Sequence, residues 1–151
     1  MKIAIGCDHA GYSLKAPVME HLRERGLEIL DCGTQSTDSC DYPVFGERVA
    51  RAVVNREADL GIVICGTGIG ISIACNKVKG ARCACVSEPL SAAMSRRHNN
   101  ANVLAFGSRV IGEEMAKLCV DAFLDNAFEA GRHERRVCQL NELEEKKYSS
   151  N

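Results

Sequence analysis

No apolar run in this chain is long enough to cross a bilayer, which excludes a helical membrane span. A secretion signal is also missing. Met1-Lys2-Ile3-Ala4-Ile5 supplies the basic residue, but Asp8 and His9 interrupt before a long apolar core develops, so a cytoplasmic location is expected. An excess of one charge is absent: 19 Lys and Arg stand against 20 Asp and Glu, a net −1. That balance argues against a nucleic-acid binder gripping many phosphates, while leaving room for a local basic pocket that holds one small anion. The cysteines lack organised spacing. There are nine, an odd number, and no pair is C-x-x-C, so neither a disulfide framework nor a zinc knuckle is expected. Most read as small buried hydrophobes in a reducing compartment, Cys83, Cys85 and Cys119 foremost because they sit in apolar runs. No metal cluster emerges either, since Cys7 and His9 are neighbours without a third and fourth ligand. No repeat or linker divides the 151 residues, 46% of them hydrophobic, so residues 1–151 read as one domain with a sizeable core.

What is present is an alternation of short apolar runs with longer amphipathic stretches. Strands are predicted at residues 2–7, 27–32, 60–65, 81–86 and 102–106. Helices are predicted at 12–25, 43–56, from about 70 onward, 89–98, 111–126 and 132–147. The segment 33–42, rich in Gly, Ser, Thr and Asp, reads as a loop. The run 60–65 has no polar alternation and should be buried on both faces. Strands alternating with helices imply right-handed crossovers and a parallel sheet. The expected fold is therefore a three-layer α/β/α domain, Rossmann-like, with a five-stranded parallel sheet and a C-terminal helix. Strand order is not encoded in this pattern.

Such sheets bind ligands at the carboxyl ends of their strands. That rule marks Cys7-Asp8-His9, the loop after the second strand, residues 65–70, Ser87-Glu88, and residues 107–109. The third is the most distinctive: Cys65-Gly66-Thr67-Gly68-Ile69-Gly70 joins a buried strand to a helix. Its glycines permit close approach of a ligand, and free N–H groups at a helix start favour an anionic oxygen. It is not a Walker loop, because Ile71-Ser72 stands where Gly-Lys-Ser/Thr would be needed. It is not a Cys-x5-Arg phosphatase loop, because residue 71 is Ile. Its G-x-G-x-G spacing departs from the dinucleotide fingerprint, although Glu88 lies at a distance suited to a ribose contact.

Cys65 ends the strand beside those N–H groups. A helix N-terminus lowers a thiol's pKa, and a thiolate there could take a proton from carbon next to a carbonyl while neighbouring amides hold the enediolate oxygen. An inert buried Cys is the equal alternative from the loop alone. Asp8 and His9 are either a capped strand end with a surface His or a pair aimed into a cleft. His98 and Asn99 are either an ordinary helix C-terminus or an acid–base group with a positioning amide. His21 and His133 read as solvated. Arg132 and Arg136 are four apart on one helix face and suit a phosphate dianion, though an ordinary charged surface explains such a pair as well. Arg109 follows a strand's carboxyl end.

Together these residues resemble ribose-5-phosphate isomerase type B. The resemblance rests on Gly6-Cys7-Asp8-His9-Ala10-Gly11, Asp41-Tyr42-Pro43, Ile64 through Ser72, residues 95–99, residues 102–109, and Gly131-Arg132-His133 with Arg136, covering nearly the whole chain. It implies that Cys65 shuttles a proton between C1 and C2. Thr67 and the amides of Gly66, Thr67, Gly68, Ile69 and Gly70 would hold the enediolate. His98, helped by Thr67, would open the furanose ring, and Asn99 would position hydroxyls. Asp8 would bind the sugar; His9, Arg132 and Arg136 would grip the phosphate, with Arg109 adding to the site. The resemblance further implies no cofactor and no metal, and a homo-oligomer, a dimer or dimer of dimers whose sites draw on two subunits. One branch of this family uses a glutamate as base. Residues 66–76 contain no acid, so the chain is similar to the thiol branch. Related galactose-6-phosphate isomerases divide the work between two chains. The thiol, His and Arg pair found together here favour a self-sufficient homo-oligomer. A six-carbon substrate such as allose 6-phosphate is the nearest alternative. From another class, a nucleotide- or phosphate-binding module with an inert Cys65 is the competitor. The spacing of Val137, Leu140 and Leu143 suits either a partner surface or core packing.

Overall fold

A computed structural model describes residues 1–148 of the chain. Its elements run β1 (Lys2–Cys7), α1 (Tyr12–Glu24), β2 (Glu28–Asp31), α2 (Tyr42–Val54), β3 (Leu60–Cys65), α3 (Ile69–Cys75), β4 (Cys83–Cys85), α4 (Pro89–Asn99), β5 (Val103–Gly107), α5 (Glu113–Leu124) and α6 (Arg132–Tyr148). The five strands form one parallel sheet in the order β2-β1-β3-β5-β4. The chain crosses over on both faces, giving the three layers that the alternating pattern predicts. Among the described residues no helix is long and apolar enough to cross a membrane.

Side chains of a strand point alternately to its two faces, and β3 shows what this sequence does with that. Ile62 and Ile64 enter one core with Val18 and Leu22 of α1 and Val120 and Phe123 of α5. Val63 and Cys65 enter the other with Val49 of α2 and Ile71 of α3. Every residue of β3 is buried. Each large side chain removed from water there contributes about 1.5–3 kcal/mol, so the strand that ends in Cys65 is the most firmly seated in the sheet.

Several elements differ from the sequence reading, each for a local reason. β4 is only three residues long and forms a sheet edge. The amide of Asn76 pairs with both backbone groups of Cys83, donating to its carbonyl at 2.9 Å and accepting from its N–H at 2.8 Å. A side chain thus covers part of the open edge. α5 starts at Glu113, because Val110 and Ile111 first form a turn onto the Gly107 carbonyl. His21 is not solvated: its Nε2 lies 2.7 Å from Asp121, tying α1 to α5. The 137–143 stripe divides. Val137 is buried, whereas Leu140 and Leu143 stand exposed. With Arg82, Ser95, Asn99 and Glu144, those two leucines line a groove of about 410 Å³.

Candidate active site

β1, β3 and β5 lie side by side, so Cys7-Asp8, Cys65-Gly66 and Gly107-Ser108 leave the sheet together. The cleft between them has a volume of about 230 Å³ and is lined by Asp8, His9, Ala10, Tyr42, Cys65, Gly66, Thr67, Gly70 and Arg109. The loop after β3 folds back on its neighbours. Ser108 N–H donates to the Cys65 carbonyl and Arg109 N–H to that of Gly66, at 2.9 and 3.0 Å. Gly68 is required twice: its φ is +78°, and a Cβ there would come within 2.7 Å of the Phe106 backbone.

Cys65 is 4% exposed, yet it is among the residues that line the cleft. The Gly68 N–H donates to that sulfur at 3.1 Å. That bond fixes the sulfur against the glycine loop. This alters the amide ring read from sequence. The Gly68 N–H faces the sulfur and the Ile69 N–H faces Thr67 Oγ1 at 3.4 Å, so neither is simply an open donor. Helical geometry leaves the N–H groups of Gly70 and Ile71 without intrahelical acceptors.

Asp8 is buried and accepts from the Gly11 N–H at 2.9 Å through Oδ1, which starts α1. His9 accepts from the Cys40 N–H through Nδ1 at 3.1 Å. The Cys40 carbonyl lies 3.3 Å from the same Nδ1, so the Cys40 main chain holds the ring in place. The 33–41 loop bearing Cys40 is anchored by Lys15, a buried cation that donates to Asp31 at 2.9 Å and to the Thr34 carbonyl at 2.7 Å. Burial works to raise the Asp31 carboxyl, but Lys15, the Gln35 amide and the Gly33 N–H outweigh it and hold it below its ordinary value. The Arg109 guanidinium lies over Gly66, and no described carboxylate pairs with it.

The other sequence candidates lie elsewhere. β5 is five residues long, and at about 3.3 Å per residue its two ends stand roughly 13 Å apart. Cys65 pairs with Gly107 at the exit end. His98 and Asn99 close α4, which is stopped by Asn100 in a left-handed conformation, at the entry end. Arg132 and Arg136 are exposed on the first turns of α6, which packs on α4. The protomer therefore carries two separate clusters.

The second cluster contains residues the sequence did not single out. His133, read as solvated, is buried and stacks on His98 with ring centroids 4.1 Å apart and planes within 5°. Glu129 Oε2 lies 3.8 Å from His98 Nε2 and 4.0 Å from His133 Nε2. These three residues bring ligand atoms within 4.8 Å of one another. A single cation fits them poorly. Parallel rings direct their lone pairs side by side, whereas an ion must lie in the plane of each imidazole, and Arg97 and Arg132 crowd the same atoms. Burial, then the charges of His98, Arg132 and Arg136, push His133 below the usual imidazole range. Arg97 holds Glu129 below the usual carboxylate range.

Two further findings correct the sequence reading. Cys85, expected to be buried, is exposed, with its Sγ 3.9 Å from the Thr67 carbonyl beside the glycine loop. Glu88 is not placed for a ribose: its carboxylate caps α4, accepting from Leu90 and Ser91 N–H at 2.6 and 2.8 Å, which removes the support for a dinucleotide fold. Tyr42 was missed as a site residue. Its ring packs on Gly70 and leaves no room for a Cβ there; its position next to a polar loop at a strand's carboxyl end was the available signal.

Comparison with known proteins adds the following. The family model described as Ribose/Galactose Isomerase matches residues 3–140. Ribose-5-phosphate isomerase B of Escherichia coli (strain K12) is 53% identical over 97% of this chain and 98% of its own. Ribose-5-phosphate isomerase B of Clostridium thermocellum superposes with a TM-score of 0.96 at 52% identity, covering 97% of this chain and 99% of that one. The same enzyme of Mycoplasma genitalium with bound ribulose-5-phosphate gives a TM-score of 0.91 at 42% identity over 95% and 96% of the two chains.

Proposed function

The chain belongs to the ribose/galactose isomerase family, and from that membership we propose that Cys65 is the base with which it interconverts ribose 5-phosphate and ribulose 5-phosphate. The observation that carries this is Cys65 lining the cleft, with its sulfur accepting the Gly68 N–H at 3.1 Å. As thiolate, it removes the proton from C2 of the open-chain aldose. The electrons move onto O1, giving an enediolate held by Thr67 and those N–H groups of the glycine loop that the Cys65 sulfur and the Thr67 hydroxyl do not already engage. The same thiol returns the proton to C1, while the hydroxyl proton shifts from O2 to O1. Atoms and charge balance with no redox partner, so the step calls for no cofactor. Asp8 binds a sugar hydroxyl. His9 and Arg109 face the substrate from the same cleft, Arg109 adding positive charge.

Ring opening and phosphate binding fall to the second cluster. His98 opens the furanose ring, Asn99 positions hydroxyls, and Arg132 and Arg136 grip the phosphate. Because these residues stand at the other end of the sheet from Cys65, we assign them to a neighbouring subunit of a homo-oligomer, so that each site takes one cluster from each protomer. Exposed Ile69, Ile73, Leu90 and Val110 flank the cleft end of the sheet and suit such a contact.

A coupled assay on ribose 5-phosphate and allose 6-phosphate, with and without chelator, tests the reading. The expected result is turnover of the five-carbon sugar, unaffected by chelation. Absence of turnover on both sugars, with nucleotide retained in native mass spectra, would support the binding-module reading instead.

A further inference from the structure

We infer that His133 is a positioning residue for His98, the wall against which its imidazole is held for ring opening. This rests on the isomerase reading above and concerns one step within it. A helix C-terminus is a poor place for an oriented side chain: α4 ends at Asn99, and His98 is partly exposed there. Nothing in α4 itself fixes the ring. The constraint comes from later in the chain, where α6 brings up His133.

The contact has three parts. His133 is 7% exposed, so its own ring is fixed by packing. It meets His98 face to face at 4.1 Å, within 5° of parallel, which removes the freedom of the His98 ring to turn. Glu129 adds a carboxylate beside the His98 ring edge. Its Oε2 lies 3.8 Å from His98 Nε2, and its other oxygen is occupied by Arg97. The Glu129 backbone N–H also donates to the Arg97 carbonyl at 3.0 Å, so this carboxylate is itself pinned to α4.

The tautomer of His133 follows from its neighbour. Arg132 Nε donates to His133 Nε2 at 3.4 Å, so that nitrogen is the acceptor and the proton sits on Nδ1. Burial first, then the charges of His98 on α4 and of Arg132 and Arg136 on α6, disfavour a proton on this ring, with Glu129 opposing them. A neutral ring stacks on His98 without repelling it when His98 gains a proton from the sugar. The stack thus tolerates both states of the working imidazole.

The two directions of the reaction separate this role from a structural one. Ribose 5-phosphate is a furanose in solution and must be opened. Ribulose 5-phosphate carries its phosphate on O5, cannot close to a furanose, and enters as the open chain. For His133→Ala, saturating turnover of ribose 5-phosphate should fall about ten- to hundredfold, while the initial rate from ribulose 5-phosphate stays within about twofold of wild type. His133→Phe keeps a flat ring at the same place and should recover most of the forward loss. Equal losses in both directions, or a change confined to KM in both, would overturn the inference; the second would mean that His133 serves Arg132 and the phosphate. Wild-type protein inactive in both directions would instead sink the isomerase reading.

Discussion

The carboxyl ends of β1, β3 and β5 and the C-terminal end of α4 differ in how their polar groups are held. At the first, main-chain donors hold three of the polar side chains. Gly68 N–H points at Cys65, Cys40 N–H at His9, and Gly11 N–H at Asp8. At the second, side chains hold one another: His133 against His98, Arg97 on Glu129, Arg132 on His133. A backbone donor fixes a charge without adding one, which suits a thiolate that must keep a single position. A side-chain cluster holds its rings by packing while leaving titratable groups in place to exchange protons. On the proposed mechanism this is a division of labour between an end held by main chain for carbon chemistry and an end held by side chains for ring opening and phosphate.

The largest effect that would break this comparison is at Cys65. Cys65→Ala should lower isomerisation about 10²–10⁴-fold in both directions, with sugar-phosphate binding kept, read by turnover and by calorimetry. Full turnover would remove the sulfur from the mechanism. Next comes His98→Asn, which should slow ribose 5-phosphate while sparing open-chain ribulose 5-phosphate; a symmetric loss would merge the two ends into one function. Arg136→Ala should raise KM about tenfold or more, as expected for loss of a charged hydrogen bond worth about 1.5–3 kcal/mol, and weaken competition by inorganic phosphate. An unchanged KM would return Arg136 to an ordinary surface charge.

The smallest effect is in acid. His133 and Asp31 both have folded pKa values below their ordinary ones. Each then binds fewer protons folded than unfolded, so acid favours unfolding through both. For His133, stability should be lost as pH falls below 6.5, its ordinary value; for Asp31, only below 3.8. Hydrogen exchange across a pH series should therefore show α6 and the end of α4 loosening before the 33–41 loop. Simultaneous loosening would erase the distinction between the two ends.

The fold and the first cluster were legible because both follow from local rules. An unbroken apolar run gives a buried parallel strand, and a parallel sheet gathers ligands at its carboxyl ends. Asp8, His9, Cys65, Thr67 and Arg109 all follow strands, so their convergence was readable before any coordinates. Strand order was not, because β4 reaches the edge through a crossover that no periodicity records. The His98 cluster shows the same limit. Its residue types were visible, but a helix antiparallel to the strands delivers its C-terminus to the far end of the sheet, away from Cys65. His133 was misread because an isolated His between charged residues looks solvated, and only α6 packing on α4 buries it. Cys85 was misread because a run of three apolar residues at an edge looks like a run in the core.

The central claim is that carbon chemistry and ring opening reside on different protomers of one site. Co-expressing Cys65→Ala with His98→Asn and purifying the mixed protein tests it most directly, with ribose 5-phosphate as substrate. Random pairing makes half of all dimers mixed, each with one intact site of two, so about a quarter of wild-type activity should return from two defective parents. Activity no greater than the parents' average, in a preparation shown by mass to contain the mixed dimer, would contradict it.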